Sequence, residues 1–273
     1  AVLRLRVSIR SMAITRVQDQ TAYVLHRYDW SESSLILDIW SRDFGRLAVV
    51  AKGAKKPASQ FRPILLPLQP LWLSWRGDAE VRTLRAAQWQ GGAVMPQGEA
   101  LLTGFYLNEL LLRLLARDDP HPRLFDIYDQ AVRDLSGRVE TLLNVARAFE
   151  LFVLRDLGVL PTLSQESAAL TDVVPEQTYR LRPQAGLMHA PEDAVDALTG
   201  AQWQRLERAM QGAAPWRETV RACQGLSPAL RPQLRALLQD HSGVSVFKTR
   251  QMWLDVNALG QQTLGQPVSP ATL

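Results

Sequence analysis

Six cations fall within 21 residues in the first third of the chain: Arg42, Arg46, Lys52, Lys55, Lys56 and Arg62, opposed in that window only by Asp43. Arg76, Arg82 and Arg85 follow, and five of the eight tryptophans (Trp30, Trp40, Trp72, Trp75 and Trp89) are interleaved with them. A cation held against a phosphate releases a counterion, and an exposed indole stacks on any base for about 1–3 kcal/mol. The two residue types in alternation point to a surface for a sugar–phosphate chain read without sequence preference, with Trp40 and Trp75 as stacking candidates. Neutralising about six phosphates of a single strand predicts a log–log salt slope of about −4. Core packing is the competing role for each ring taken singly, and a solvated basic face is the competing role for the charge.

Other chemistries find no support. His26, His121, His189 and His241 show no metal-binding or paired spacing. Lys52-Gly53-Ala54-Lys55-Lys56 lacks the second glycine and the Lys-Ser/Thr pair of a phosphate loop. Cys223 is the single cysteine, which excludes an internal disulfide and a cysteine zinc cluster. Asp118-Asp119 and Glu192-Asp193 stand beside prolines and read as turn and helix-end charges. Neither an enzyme nor a cofactor or metal is therefore expected.

The cations and rings need a scaffold, and the pattern around them is that of strands. Thr21–Arg27, Ser33–Ser41, Arg46–Lys52, Leu65–Arg76 and Val81–Gln90 are rich in β-branched, aromatic and aliphatic residues. In Ser33–Ser41 the residues Leu35, Leu37 and Ile39 alternate with Ile36, Asp38 and Trp40, the period of two of a half-buried strand. Asp43-Phe44-Gly45 and Arg76-Gly77-Asp78 mark hairpins, and Pro67 and Pro70 put a bulge or an edge in the fourth run. Five short strands suit an OB-type barrel, and an SH3-like barrel fits nearly as well. A strand sets Arg46 and Lys52 on one face, whereas Arg82 and Arg85 fall on opposite faces unless a bulge intervenes, so only part of the set forms one patch.

After Gly91-Gly92 and Pro96 the period turns helical. Glu99–Arg117, Arg123–Leu135 and Val139–Leu157 read as helices, Thr178–His189 as a short hairpin, and Gly200–Gln211, Pro215–Gln224, Pro228–His241 and Phe247–Leu259 as further helices. The fold class is α+β: a five-stranded OB-fold barrel, then an all-helical domain with a short hairpin insertion. Expected boundaries are 1–18 for a flexible basic extension (or sequence upstream of a start at Met12), 19–95 for the DNA-binding barrel, 96–259 for the helical domain and 260–273 for a frayed tail. Residues 1–97 carry 14 Lys+Arg against 7 Asp+Glu, and the remaining 17 and 20 lie in 98–273, so a surplus of +7 in the first part faces −3 in the second. That asymmetry assigns a polyanionic partner to the first part. No apolar run is long enough for a membrane helix and no secretory leader is visible, so the expected location is cytoplasmic, associated with the nucleoid.

Several segments together resemble one family. Tyr23-Val24-Leu25-His26, Trp30-Ser31-Glu32-Ser33-Ser34, Gly45-Arg46 and Val50-Ala51-Lys52-Gly53-Ala54 resemble the start of the bacterial RecO family. Tyr106–Leu111, Phe149-Glu150 with Leu157-Gly158, Tyr179-Arg180 to Gly186, and Phe247-Lys248-Thr249-Arg250 follow in the family's order. The resemblance implies a recombination mediator in DNA repair that binds single- and double-stranded DNA and anneals complementary strands. It also implies help, given together with RecR, in loading RecA onto DNA coated by single-strand-binding protein (SSB), without nucleotide hydrolysis. Some members carry a four-cysteine zinc module after the third helix. Leu160–Asp172 holds no cysteine, so this chain resembles a zinc-free member whose segment is held by packing. The family also takes the acidic SSB C-terminal tail, for which Arg147, Phe149, Leu151 and Arg155 are the candidate groove and lip. A generic RNA-binding module and a DNA-processing nuclease are the rival functions.

Overall fold

The computed structural model describes residues 16–92, 94–135, 139–243 and 249. The chain divides into two compact units, Ala1–Gly91 and Gly92–Leu273. Apart from Thr249, the helix expected at Phe247–Leu259 lies outside the described residues, as do the tail 260–273 and most of the basic extension, although Arg16 to Gln18 already belong to the first strand.

Unit one is a closed barrel. Strands β1 (Arg16–Asp29), β2 (Leu35–Ser41), β3 (Gly45–Ala51), β4 (Leu71–Arg76) and β5 (Val81–Trp89) close in the order β1-β2-β3-β5-β4. β3 and β5 pair in parallel, and β4 closes the ring on β1 antiparallel. This is the five-stranded OB arrangement. Alternation along each strand sends Ala22, Val24, Leu37, Ile39, Leu47, Val49, Leu71, Leu73 and Trp75 into one interior cluster. The β2–β3 turn closes on Gly45, whose φ of 70° is the left-handed conformation that glycine adopts without strain. The fourth strand starts at Leu71, not at Leu65 as expected. Pro67 and Pro70 end the preceding connection, because neither can donate to a ladder.

Unit two packs helices α1 (Gly98–Leu114), α2 (Pro122–Asp134), α3 (Val139–Asp156), α4 (Gly200–Gln211), α5 (Pro215–Ala222) and α6 (Ser227–Ser242). α3 touches α1, α2, α5 and α6 and is the central helix. The expected hairpin is β6 (Thr178–Arg182) with β7 (Gly186–His189). A third strand, β8 (Leu198–Thr199), pairs with β6 and makes it a small sheet. Thr199 then caps α4 in a reciprocal box with Gln202.

The cysteine-free segment after α3 is held by more than packing. Leu160, Leu163 and Val173 are buried. Glu207 on α4 accepts the Leu163 amide at 2.7 Å and both terminal nitrogens of Arg155 at 2.9 and 2.8 Å, while Arg155 also donates to the Pro161 carbonyl at 3.1 Å. Burial pushes the Glu207 carboxyl up, but the Arg155 hydrogen bonds and the Leu163 amide outweigh it, and the group titrates below the usual carboxylate range.

Candidate nucleic-acid interface

The connection from β3 to β4 carries the densest charge and is built as a chain of tight turns. Lys56, Ser59, Arg62 and Ile64 each donate a backbone N–H to the carbonyl three residues earlier. Gly53, at φ 71°, turns the chain out of β3. The connection is tied to the β1–β2 loop: the Lys55 amide donates to Ser33 O at 3.0 Å, and Lys55 Nζ reaches Ser31 O at 3.0 Å and Asp29 at 3.2 Å. On this frame Lys52, Lys56 and Arg62 are exposed, with no ion pair recorded for them among the described residues.

Behind them a pocket of about 550 Å³ opens at the barrel mouth. Arg27, Lys55 and Arg62 supply its cations, Asp29 its one acid, and Phe61, Leu35 and Leu65 its apolar lining. Arg27 holds its guanidinium there through the Leu65 carbonyl at 3.3 Å. Volume and lining fall in the range of pockets that take a small ligand group by an apolar floor and a few placed charges. The sequence reading missed Arg27 and Phe61. The signal for both was weak: a lone cation where β1 ends, and one ring beside Arg62.

The remaining expected residues divide sharply. Trp40 and Trp75 have 0% and 1% of their surface exposed, so neither is available to a base. Trp75 fills the barrel interior against Phe44, and Trp40 lies with Tyr23 of β1, Asp38 of β2 and Ala48 of β3 in an outward-facing patch that is out of solvent. The exposed rings are Trp30 (66%), Trp72 (42%) and Trp89 (50%). Arg46 is largely buried beside Asp38 at 3.8 Å, and Arg42 pairs with Asp43 at 3.3 Å. Arg82 is partly buried and engaged. Arg76 and Arg85 are exposed, and a register slip between Ser74 and Trp75 leaves Arg85 as a bulge residue on β5. The cations therefore do not form one continuous face. OB barrels generally take oligonucleotides on the β2–β3 face. Here the middle of that face, at Asp38, Trp40 and Ala48, is out of solvent while Ile36, Arg46 and Val50 keep partial exposure, and the exposed charge sits on the connection and on β4 and β5.

Most of the residues expected to form a groove on α3 are out of reach. Phe149 and Leu151 are fully buried, and Arg147 is buried with its guanidinium 2.7 Å from Glu150. Burial raises the Glu150 carboxyl, an effect opposed by Arg147 and by the Tyr106 hydroxyl, which donates to it at 2.5 Å. An apolar groove of about 750 Å³ does open on the adjacent face of α3. Leu124, Ile127, Phe152 and Met210 line it together with the cations Arg123 and Arg155, the acids Asp126 and Asp156, and two glutamines. Only Arg155 is shared with the expected set. Among the described residues no group of three or more His, Cys, Asp or Glu side chains is placed to hold a metal ion, and no helix is long and apolar enough to cross a membrane.

Barrel and helical unit together define the class: an OB-barrel protein extended by a helical unit that carries a small sheet. Residues 12–92 match the family model of the recombination protein O N terminal, and residues 95–201 match that of its C terminal. The DNA repair protein RecO of Polaromonas sp. (strain JS666 / ATCC BAA-500) is 58% identical over 249 residues, covering 91% of this chain and all of that protein. Its counterpart from Polaromonas naphthalenivorans (strain CJ2) is 56% identical over the same length and coverage, and that from Acidovorax ebreus (strain TPSY) is 47% identical over 262 residues, again 91% of this chain and all of that protein. The chain belongs to the RecO family of DNA repair proteins.

Proposed function

We propose that this chain is a recombination mediator. It binds single- and double-stranded DNA without sequence preference, anneals complementary strands and, with RecR, helps load RecA onto SSB-coated DNA. The observation that carries the reading is the trio Lys52, Lys56 and Arg62, exposed on a hydrogen-bonded connection beside a pocket with an aromatic lining. Fixed unpaired cations exchange their counterions for phosphates, and this favours a strand whatever its sequence. Screening two polyanions at once lets complementary bases meet, so annealing needs no covalent step and the chain acts without enzymatic chemistry.

The helical unit is the partner dock in this reading. The SSB tail, acidic and ending in an aromatic residue, calls for an apolar groove with a basic lip. The cavity beside the exposed Arg123, with Leu124, Ile127, Phe152 and Met210 in its lining, supports that role better than the buried Arg147 face, and Arg155 is held there by Glu207. Annealing of complementary strands precoated with SSB tests the proposal. Wild type should accelerate it, and a Lys52→Gln, Lys56→Gln, Arg62→Gln variant should lose most of the acceleration at moderate salt. Equal rates for the two proteins would remove the basis of the proposal. Competition by RNA that matches single-stranded DNA would move the assignment to a general nucleic-acid binder.

A further inference from the structure

The barrel mouth uses only some of the accessible cations. Others lie at the opposite end of β1, a strand of 14 residues whose last turn of chain, Arg27 to Asp29, borders the mouth pocket. In the β1–β4 ladder Arg16 stands directly opposite Arg76, and both side chains are exposed. Like charges directly opposite across an antiparallel pair destabilise the sheet. An ion pair is recorded for neither among the described residues, although the turn after β4 carries the exposed Asp78 and Glu80. A sheet that tolerates this pair gains from an anion laid over it.

The same outward face continues along β4 through Ser74 to Trp72, a half-exposed ring flanked by Thr21 on β1 and Gln88 on β5. The bulge places the exposed Arg85 next to Ser74 and Trp75 in the ladder. One acid interrupts the row. Asp19, in the β1 bulge at φ 47°, accepts a hydrogen bond from Ser74 Oγ at 3.2 Å and donates its own N–H to that oxygen at 3.0 Å. Its carboxylate is thus pinned to the middle of the face.

We infer that the outer face of β1, β4 and β5 is a second track for a single nucleic-acid strand, separate from the barrel mouth. Arg16, Arg76 and Arg85 meet its phosphates, Trp72 lies under a base, and Asp19 limits how tightly the strand is held. The inference rests on the DNA-binding reading above and extends it: one barrel holds two strands, as annealing requires.

The test counts strands per chain by sedimentation of the full chain with an excess of labelled oligothymidine, which cannot self-pair. Wild type should bind two. Arg16→Gln with Arg76→Gln, and separately Lys52→Gln with Lys56→Gln and Arg62→Gln, should each bind one while melting within a few degrees of wild type, since exposed substitutions cost little. Asn tolerates the left-handed conformation and keeps the acceptor for Ser74, so Asp19→Asn removes only charge. Added to the mouth variant, it should raise affinity about twofold. Two strands still bound after loss of Arg16 and Arg76 would overturn the inference and leave the mouth as the whole site. Unchanged strand binding in both multiple variants would instead overturn the DNA-binding reading itself.

Discussion

Replacing Lys52, Lys56 and Arg62 together by glutamine removes the mouth cations that no recorded acid neutralises. Each phosphate neutralised on a single strand contributes about 0.7 to the log–log salt slope. On an oligothymidine long enough to follow the mouth and the β1–β4–β5 face together, three mouth cations with Arg16, Arg76 and Arg85 give a wild-type slope of about −4, and the triple variant should fall to about −2. Between 50 and 200 mM salt, wild-type affinity then drops about 250-fold and the variant's about 16-fold. Fluorescence anisotropy of a labelled oligothymidine across that range measures both lines.

The control decides the matter. Arg42 and Arg46 belong to the same run of charge, but each already faces an aspartate. An arginine that is neutralised in the free protein releases few counterions on binding. Arg42→Gln with Arg46→Gln should therefore move the slope by less than about 0.7. If that pair flattens the line as much as the mouth triple does, pairing with acids does not govern which cations bind, and the assignment made from geometry is wrong.

Trp40→Ala and Trp75→Ala should each cost about 3–5 kcal/mol of stability, read by denaturant unfolding. Trp30→Ala and Trp72→Ala should instead leave unfolding nearly unchanged and weaken strand binding by about 1–3 kcal/mol. Arg147→Ala should destabilise unit two, because it leaves Glu150 buried without its cation. Arg123→Ala should weaken binding of an acidic peptide ending in phenylalanine without changing the melting temperature. Glu207 titrates lower in the fold than in the unfolded chain, so its contribution is fully present above the unfolded carboxyl range near pH ~4.3 and is lost as pH falls through the lower folded value. Glu207→Gln should accordingly destabilise the protein near neutral pH, with the deficit shrinking in acid; a deficit independent of pH would refute the ion-pair account.

The barrel was legible because its cause is local. Alternation in Leu35–Ser41 and the punctuation at Gly45 and Gly77 specify strands and turns whatever surrounds them. Which tryptophans are free was not legible. Alternation says that Trp40 points away from Leu37 and Ile39, but an outward face of a strand is exposed only where nothing covers it, and here it is out of solvent. The helical site failed for a related reason. The i, i+4 spacing of Arg147, Leu151 and Arg155 does define one stripe, yet α3 packs against four other helices, which bury most of that stripe, and the open cavity lies beside Phe152. Arg155 is reached from either phase because it stands near the helix end.

Burial and availability exclude one another for these cations, and this explains where the accessible charge lies. A guanidinium on the largely covered β2–β3 face must keep a counter-charge, since an unpaired ion out of water costs several kcal/mol. Arg46 accordingly sits with Asp38, and an engaged Arg46 has little left for a phosphate. On the β3–β4 connection water solvates each ammonium or guanidinium at no structural cost, so Lys52, Lys56 and Arg62 can stand without an acid until a strand arrives. The proposed site accordingly lies where the chain leaves the sheet, not on the largely covered β2–β3 face. The hydrogen-bonded turns between Lys56 and Ile64 fix the backbone that carries those charges, which in the proposed reading prepares them for a strand. Loosening the turns without removing any charge, as by Gly-Ser replacement of Pro57–Gln60, should lower strand affinity while leaving the salt slope unaltered.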